Sequence, residues 1–523
     1  MEGNMALTLT IPALTDKPLI PAETQPQKLQ TLMGQWLKLP MLEASSAMAD
    51  ELENLNRQVV PADARFRALE TYRPLVISMN RRLAGIYGKA SLPLPVEARA
   101  YVKIAESLWL EMAYGYKIAL IDEQQKLFKI NSNPKHMALL LLRAFEALNG
   151  LIHIYFQTYF PAPGSVWSDI HQLYRYAVQA ELQDLPIEQG ERKTTSISTQ
   201  FKQILLMALA EPQNLTPSEI RRVADYIERH AALAELHATG RIENPAAVFL
   251  VKLNTDMPPI AYSKHESLPP TGSDLLLLTI RLARMVHQHI QLLQKKNAII
   301  STHELPDDAT DGRYIDLLRY LLQHWGKVPK RVFKRSRKSS SVSMVIGMPA
   351  AHALANRAWQ GSKPASVGRT GLLSEQLQAA RWAVVNVSAA GMALRKPAKL
   401  TSQLHVGEVI AVKEDHMQGW ATGVIRWAMH DEKDNLDIGI QLIAPTARAI
   451  GLRRPSQPSF EFALLLPAIH ALKQQASIVG AVGSYSPDRI MELDYDGRTR
   501  RIVLTRLVER THGFERFQFT ALD

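Results

Sequence analysis

"VPKRVFKRSRKSSSVSMVIG", residues 328 to 347, is where the chain changes character. Seven cations fall between Lys327 and Lys338, and an apolar run rich in Val and Ser comes directly after them. Upstream, from about 26 to 325, apolar residues recur three and four apart, the spacing of helices that bury one face. The stretches 42–58, 62–88, 136–160, 165–185, 216–236 and 273–296 each read as a helix on that period. Downstream, "SSVSMVIGM", "RWAVVNVS", "GMALRKP", "EVIAVKE", "WATGVIRWAMH" and "LDIGIQLIA" are short β-branched runs separated by polar or Gly-containing turns. Six such strands in little more than a hundred residues suggest a small antiparallel barrel.

The expected fold is therefore a multidomain α + β chain. A large all-helical region, either tetratricopeptide-like pairs or an irregular bundle, precedes an antiparallel β-barrel and an additional small β module. The boundaries read as an extension (1–25), the helical domain (26–325), a basic linker (326–338), the barrel (339–450) and a further β-rich module or barrel extension (451–523). In that last part, Asp496-Gly497 between two β-prone runs predicts a hairpin turn.

A chain of 523 residues exceeds what one core supports, which fits two or three domains. There is no cysteine, so disulfides, thiolate metal sites and a cysteine nucleophile are excluded. The N-terminus lacks the basic start and apolar core of a signal peptide. The most apolar segment, 137–156, is interrupted by Arg143 and Glu146 and reads as a buried helix rather than a membrane span. The cytoplasm is the natural expectation. Net charge is +11, but residues 1–326 carry 33 Lys+Arg against 34 Asp+Glu, and residues 327–523 carry 28 against 16. An anionic ligand is expected on the C-terminal part.

Arg331 and Arg335 form an R-x-x-x-R pair just before the first strand of the β region, and "NVSAAG" (Asn386, Ser388, Gly391) fits [D/N]-x-S-x-x-G at the exit of "RWAVV". These two patterns, in this order, resemble the PilZ domain, a bacterial receptor module for cyclic di-GMP. "WATGVIRW" and "LDIGIQLI" resemble the late strands of that barrel. The resemblance covers about 327–450. It implies a ligand site made by Arg331, Arg335, Asn386, Ser388 and Gly391, with Arg337 secondary, and no cofactor besides the dinucleotide ligand. The chain departs from the family in having Asn at 386 and in an apparent insertion, 349–378, after the first strand. A second R-x-x-x-R, Arg506 and Arg510, has no such partner motif.

The residue types suit that ligand physically. A guanidinium matches O6 and N7 of guanine or two phosphate oxygens, and it stacks on a base as lysine does not. Asn386 and Ser388, two apart in an extended segment, share a face. Gly391 permits a turn with positive φ or a close backbone approach to the ligand, as a residue with a Cβ would not. Arg337 and the neighbouring lysines supply only general attraction.

No G-x-S-x-G elbow, Walker loop, dinucleotide fingerprint or H-E-x-x-H occurs. His287 and His289 are two apart on a helix, and His230 and His237 about two turns apart, so neither pair makes a metal site. The expectation is a non-enzymatic cyclic di-GMP effector that engages a protein partner, itself unidentified, through its helical region and is free to oligomerise. The alternative is a scaffold or RNA-associated protein whose barrel does not use the dinucleotide.

Overall fold

The computed structural model describes residues 7–127, 133–190, 194–238, 246–262, 274–295, 304–326, 336, 340–358, 379–388, 391–397, 403–431, 433–469 and 473–522. It divides into two compact units, one comprising 1–90, 94–212 and 217–329, the other 91–93, 213–216 and 330–523.

The first unit opens with α1 (Pro26–Trp36), α2 (Met41–Asn56), α3 (Ala62–Tyr87), α4 (Val96–Leu127), α5 (Pro134–Thr158) and α6 (Gly164–Gln179). Their lengths of 11, 16, 26, 32, 25 and 16 residues show no repeating unit, so the region is an irregular bundle rather than a tetratricopeptide array. The bundle is organised on α4, which packs against α2, α3 and α5.

At its N-terminus, α5 is fixed by the Asn133 side chain, which accepts from the backbone amides of Lys135 and His136, and by Pro134 in the first turn. It ends where Tyr159 takes a left-handed conformation, φ 60°. Leu140, Leu141, Leu142, Phe145, Leu151 and Ile152 are all fully buried, a spread that leaves no solvent face along most of the helix. Among the described residues, α5 is the one helix long and apolar enough to cross a membrane, and 72% of its most apolar window is buried inside the protein.

A two-stranded sheet, β1 (Ile187–Glu188) and β2 (Thr194–Thr195), leads into α7 (Ile197–Leu209) and α8 (Pro217–His230). Next come β3 (Glu235–Ala238), β4 (Val248–Lys252), β5 (Ile260–Ala261) and β6 (Asp274–Leu278), a sheet of order β3-β6-β4-β5. Then α9 (Ile280–Leu293) and α10 (Gly312–Gly326) close the unit. The stretch 273–296, expected as one helix, is thus a strand and then a helix. Leu275 to Leu278 pair on both sides, with β3 and with β4, and Leu276 and Leu277 are buried. A central strand buried on both faces loses the alternation that would have marked it.

The second unit holds two closed six-stranded barrels. The first comprises β7 (Ser341–Ile346), β8 (Ala380–Ser388), β9 (Gly391–Arg395), β10 (Val409–Glu414), β11 (Ala421–His430) and β12 (Leu436–Ala444), in the cyclic order β10-β11-β12-β9-β8-β7. These are the six runs read from the sequence. Val342, Trp382, Leu394, Ile410, Ile425 and Ile438 are fully buried in it. The second comprises β13 (Arg448–Arg453), β14 (Glu461–Leu466), β15 (Ser477–Gly480), β16 (Ile490–Tyr495), β17 (Arg498–Arg510) and β18 (Glu515–Leu522), in the order β13-β14-β15-β18-β17-β16. The last part of the chain is therefore a barrel of its own. Asp496 (φ 60°) and Gly497 (φ 75°) make its expected hairpin turn.

Between β7 and β8 runs α11 (Met348–Ala358), in the stretch read as an insertion; residues 359–378 of that stretch lie outside the described residues. Ala350, Ala351 and Leu354 of α11 share one apolar cluster with Val409 and Val424 of the first barrel and with Leu464, Leu466 and Val479 of the second. The two barrels thereby have a common core.

Candidate functional site

The outer exit of β8 carries Asn386 and Ser388. Along that strand Trp382 and Val384 are buried while Arg381 and Ala383 are exposed, the alternation of a barrel wall. Between Val384, opposite Leu394, and Asn386, opposite Ala393, the register slips by one residue. This β-bulge absorbs Val385 and reverses the alternation, so that even-numbered positions turn outward at 386 and 388. Both are partly exposed. The Ser388 hydroxyl donates to the Gly391 carbonyl at 3.1 Å, tying off the β8–β9 connection.

At Gly391 the steric constraint comes from the barrel itself. Gly391 is not among the positive-φ glycines. Instead, a Cβ at this position would overlap the Ile440 carbonyl oxygen and stand 3.0 Å from its carbon and 3.1 Å from Cα of Gln441. The close approach that demands glycine is thus made by the backbone of β12. A similar constraint joins the late strands: Trp427 lies opposite Gly439, and any side chain at 439 would run into its indole.

Arg331, Arg335 and Arg337 lie outside the described residues. Ser336, between the last two, is described and forms an isolated antiparallel bridge with Val387. Its amide donates to the Val387 carbonyl at 2.9 Å, and the Val387 amide donates back at 3.0 Å. Val387 is the residue between Asn386 and Ser388. Arg335 and Arg337 are the sequence neighbours of Ser336. No local pattern in the sequence signals this rung.

Arg381, Arg395 and Arg426, on the strands of the first barrel, are already engaged. Arg395 makes a two-pronged contact with Asp437 (2.7 and 2.8 Å) and reaches Asp431 at 3.1 Å. Hydrogen bonding to Asp437 raises its pKa further. Arg381 contacts Asp415 at 2.7 Å, and Arg426 is paired with Glu509. The cation-rich stretch 330–338 lies outside the described residues apart from Ser336.

Elsewhere, Asp63, Glu123 and His136 bring their ligand atoms within 4.8 Å of one another, a grouping not evident in the sequence. Asp63 is exposed, and His136 packs edge-on against Phe66 at 4.9 Å. His230 and His289, not paired in the sequence reading, approach to 5.1 Å between ring centres. Their nitrogens meet the Glu304 carbonyl and the Tyr226 hydroxyl.

Three family models match the chain in succession. Residues 27–241 match the N-terminal domain of the cyclic-di-GMP receptor FimW. Residues 248–360 and 362–449 match its middle PilZ domain, and 446–522 its C-terminal β-barrel domain. The curated cyclic-di-GMP receptor FimW of Pseudomonas aeruginosa is 24% identical over 580 residues, covering 99% of this chain and 94% of that protein. The PilZ match begins at 248, so it takes in β4, β5, β6, α9 and α10 ahead of the barrel.

Proposed function

We propose, from the premise that the chain belongs to the PilZ-domain receptor family those models describe, that it is a cyclic di-GMP effector acting by binding rather than catalysis. The Ser336–Val387 rung carries the reading. It ties the segment bearing Arg335 to the strand bearing Asn386 and Ser388, so guanidinium forks and strand-borne polar groups have one place to meet a ligand. Arg331 and Arg335 are the proposed grips on guanine or phosphate, with Asn386 and Ser388 as hydrogen-bonding partners and Gly391 keeping β9 close to β12. Arg337 contributes charge only.

The proposed division of labour has 26–325 as a mainly helical domain that also carries the sheets β1–β2 and β3-β6-β4-β5, 326–338 as linker, 339–450 as receptor barrel and 451–523 as a further β module. The helical domain engages a protein partner, in the cytoplasm, in control of motility, biofilm, pilus or secretion. Capture of the dinucleotide by the linker arginines changes that engagement, which requires unequal ligand affinity for two arrangements of the chain.

Titration calorimetry of the full-length chain with cyclic di-GMP tests the site. Losing a charged hydrogen-bond donor costs about 1.5–3 kcal/mol, so Arg335→Ala should weaken binding roughly 10- to 150-fold. Ser388→Ala should weaken it by about 2- to 10-fold. No binding by wild type at any salt concentration would overturn the proposal. A second reading draws on Arg498, Arg500, Arg501 and Arg506, all exposed on β17, which suit a polyanion such as RNA. Tight, salt-sensitive binding of unrelated RNA, without binding of the dinucleotide, would favour it.

A further inference from the structure

The helical unit contains a cavity of about 490 Å³ lined by α3, α4, α5, α7 and α8, by Thr195 of β2 and by Gln189 next to β1. That is within the range of roughly 300–1,000 Å³ typical of ligand sites. The charges of its wall are largely matched internally. Arg73 and Arg143 both hold Glu146, at 2.8 and 3.0 Å, and Arg143 also holds Glu70 at 3.0 Å. His153 is neutral there, since burial lowers its pKa to about 4. A strongly charged ligand would have to compete with these pairs.

The wall is instead rich in carboxamides with spare hydrogen-bonding capacity. Asn149 Oδ1 and Gln189 Nε2 are buried without a partner, although Gln189 accepts from Arg143 through its other atom at 2.9 Å. Gln200 and Gln203 stand on the same wall. Each carboxamide offers both a donor and an acceptor, matching the C=O and N–H of a peptide group. Beside them Ile77, Trp109, Met112, Met207 and Ile227 form an apolar wall. Trp109 is held in place by lying on Gly150, where any side chain would collide with the indole.

We infer that this cavity receives an extended peptide segment of a partner protein, its backbone amides on Asn149, Gln189, Gln200 and Gln203 and one large apolar side chain against Trp109 and Met207. Arg81, exposed at the same cavity, favours an acidic residue next to the apolar one. The inference deepens the partner-binding half of the proposed function and is independent of the dinucleotide site.

The test uses the full-length chain and N-acetylated, C-amidated tetrapeptides with a central Leu, Met or Phe, flanked by Ala or Asp. They are titrated to millimolar concentration and read by hydrogen exchange over α5 and α7. Protection of these helices is expected, strongest with Asp flanks. Gln203→Leu and Asn149→Leu keep the volume of the wall while removing the amides, and should weaken binding about tenfold with unchanged thermal unfolding. Arg81→Ala should abolish the preference for Asp. No protection by any peptide, or protection by guanosine monophosphate in place of peptides, would overturn the inference. Cyclic di-GMP calorimetry on the same samples separates the two claims, because peptide binding without dinucleotide binding would refute the receptor reading and leave this one standing.

Discussion

Gly391→Ala distinguishes a glycine needed by the ligand from one needed by the barrel. The added methyl would overlap the Ile440 carbonyl oxygen and crowd backbone atoms at 3.0 and 3.1 Å, where ordinary contact is about 3.5 Å or more. No flexible side chain is available to yield. β9 is hydrogen-bonded to β8 on one side and β12 on the other, so moving it strains two ladders of a closed barrel. Overpacking of this kind costs about 1–3 kcal/mol, and the rigid backbone neighbours put this case near 3. At roughly 2–4 °C per kcal/mol for a unit of this size, the transition of the barrel unit should fall by about 6–12 °C. The assay is thermal unfolding of the full-length chain with hydrogen exchange at β9 and β12 to locate the loss. Gly419→Ala, where a Cβ meets nothing within 4 Å, is the control and should leave the transition in place. An unshifted transition combined with lost cyclic di-GMP affinity would refute the reasoning and move Gly391 from the barrel to the ligand.

Two further outcomes concern the helical unit. Lys117 Nζ lies 2.7 Å from Asp169 Oδ2 with both side chains at most 3% exposed, and Asp169 also accepts from the Thr10 amide at 2.9 Å. Lys117→Met strands a buried carboxylate and should cost about 3–5 kcal/mol in urea unfolding, most of it recovered by adding Asp169→Leu. His289 is 3% exposed, and burial, then the neighbouring His230, lowers its pKa to about 4. Because the folded value lies below the usual 6.5, its contribution to stability is complete above 6.5 and is lost as pH falls toward 4, to a total of about 3 kcal/mol. Urea midpoints measured across that window should show the decline in wild type and a flatter profile in His289→Gln.

The first barrel was legible because its six strands are short β-branched runs between turns, and in β8 the alternation of Trp382 and Val384 with Arg381 and Ala383 survives in the structure. The far end of the same strand was not legible. The bulge at Val385 leaves no mark in composition, yet it decides which face Asn386 and Ser388 present. β6 was hidden in a helical reading because four consecutive leucines carry no period. α11 had its signal in Ala350, Ala351 and Leu354, outweighed by the Gly-, Ser- and Pro-rich sequence on its C-terminal side. The pairing of His230 with His289, and of Ser336 with Val387, depends on segments far apart in the chain, which local patterns cannot report.

One helix completing a core that two barrels share has a practical meaning for dissecting this protein. Leu464, Leu466 and Val479 of the second barrel meet Val409 and Val424 of the first through the cluster that α11 completes. Ending the chain near residue 445 would strip that cluster of Leu464, Leu466, Val479 and Phe514 and present α11's apolar side to water, where it invites self-association. An isolated receptor barrel would then aggregate or loosen for reasons unrelated to its ligand. A negative binding result from such a fragment would report a broken core, so the two barrels are best treated as one piece.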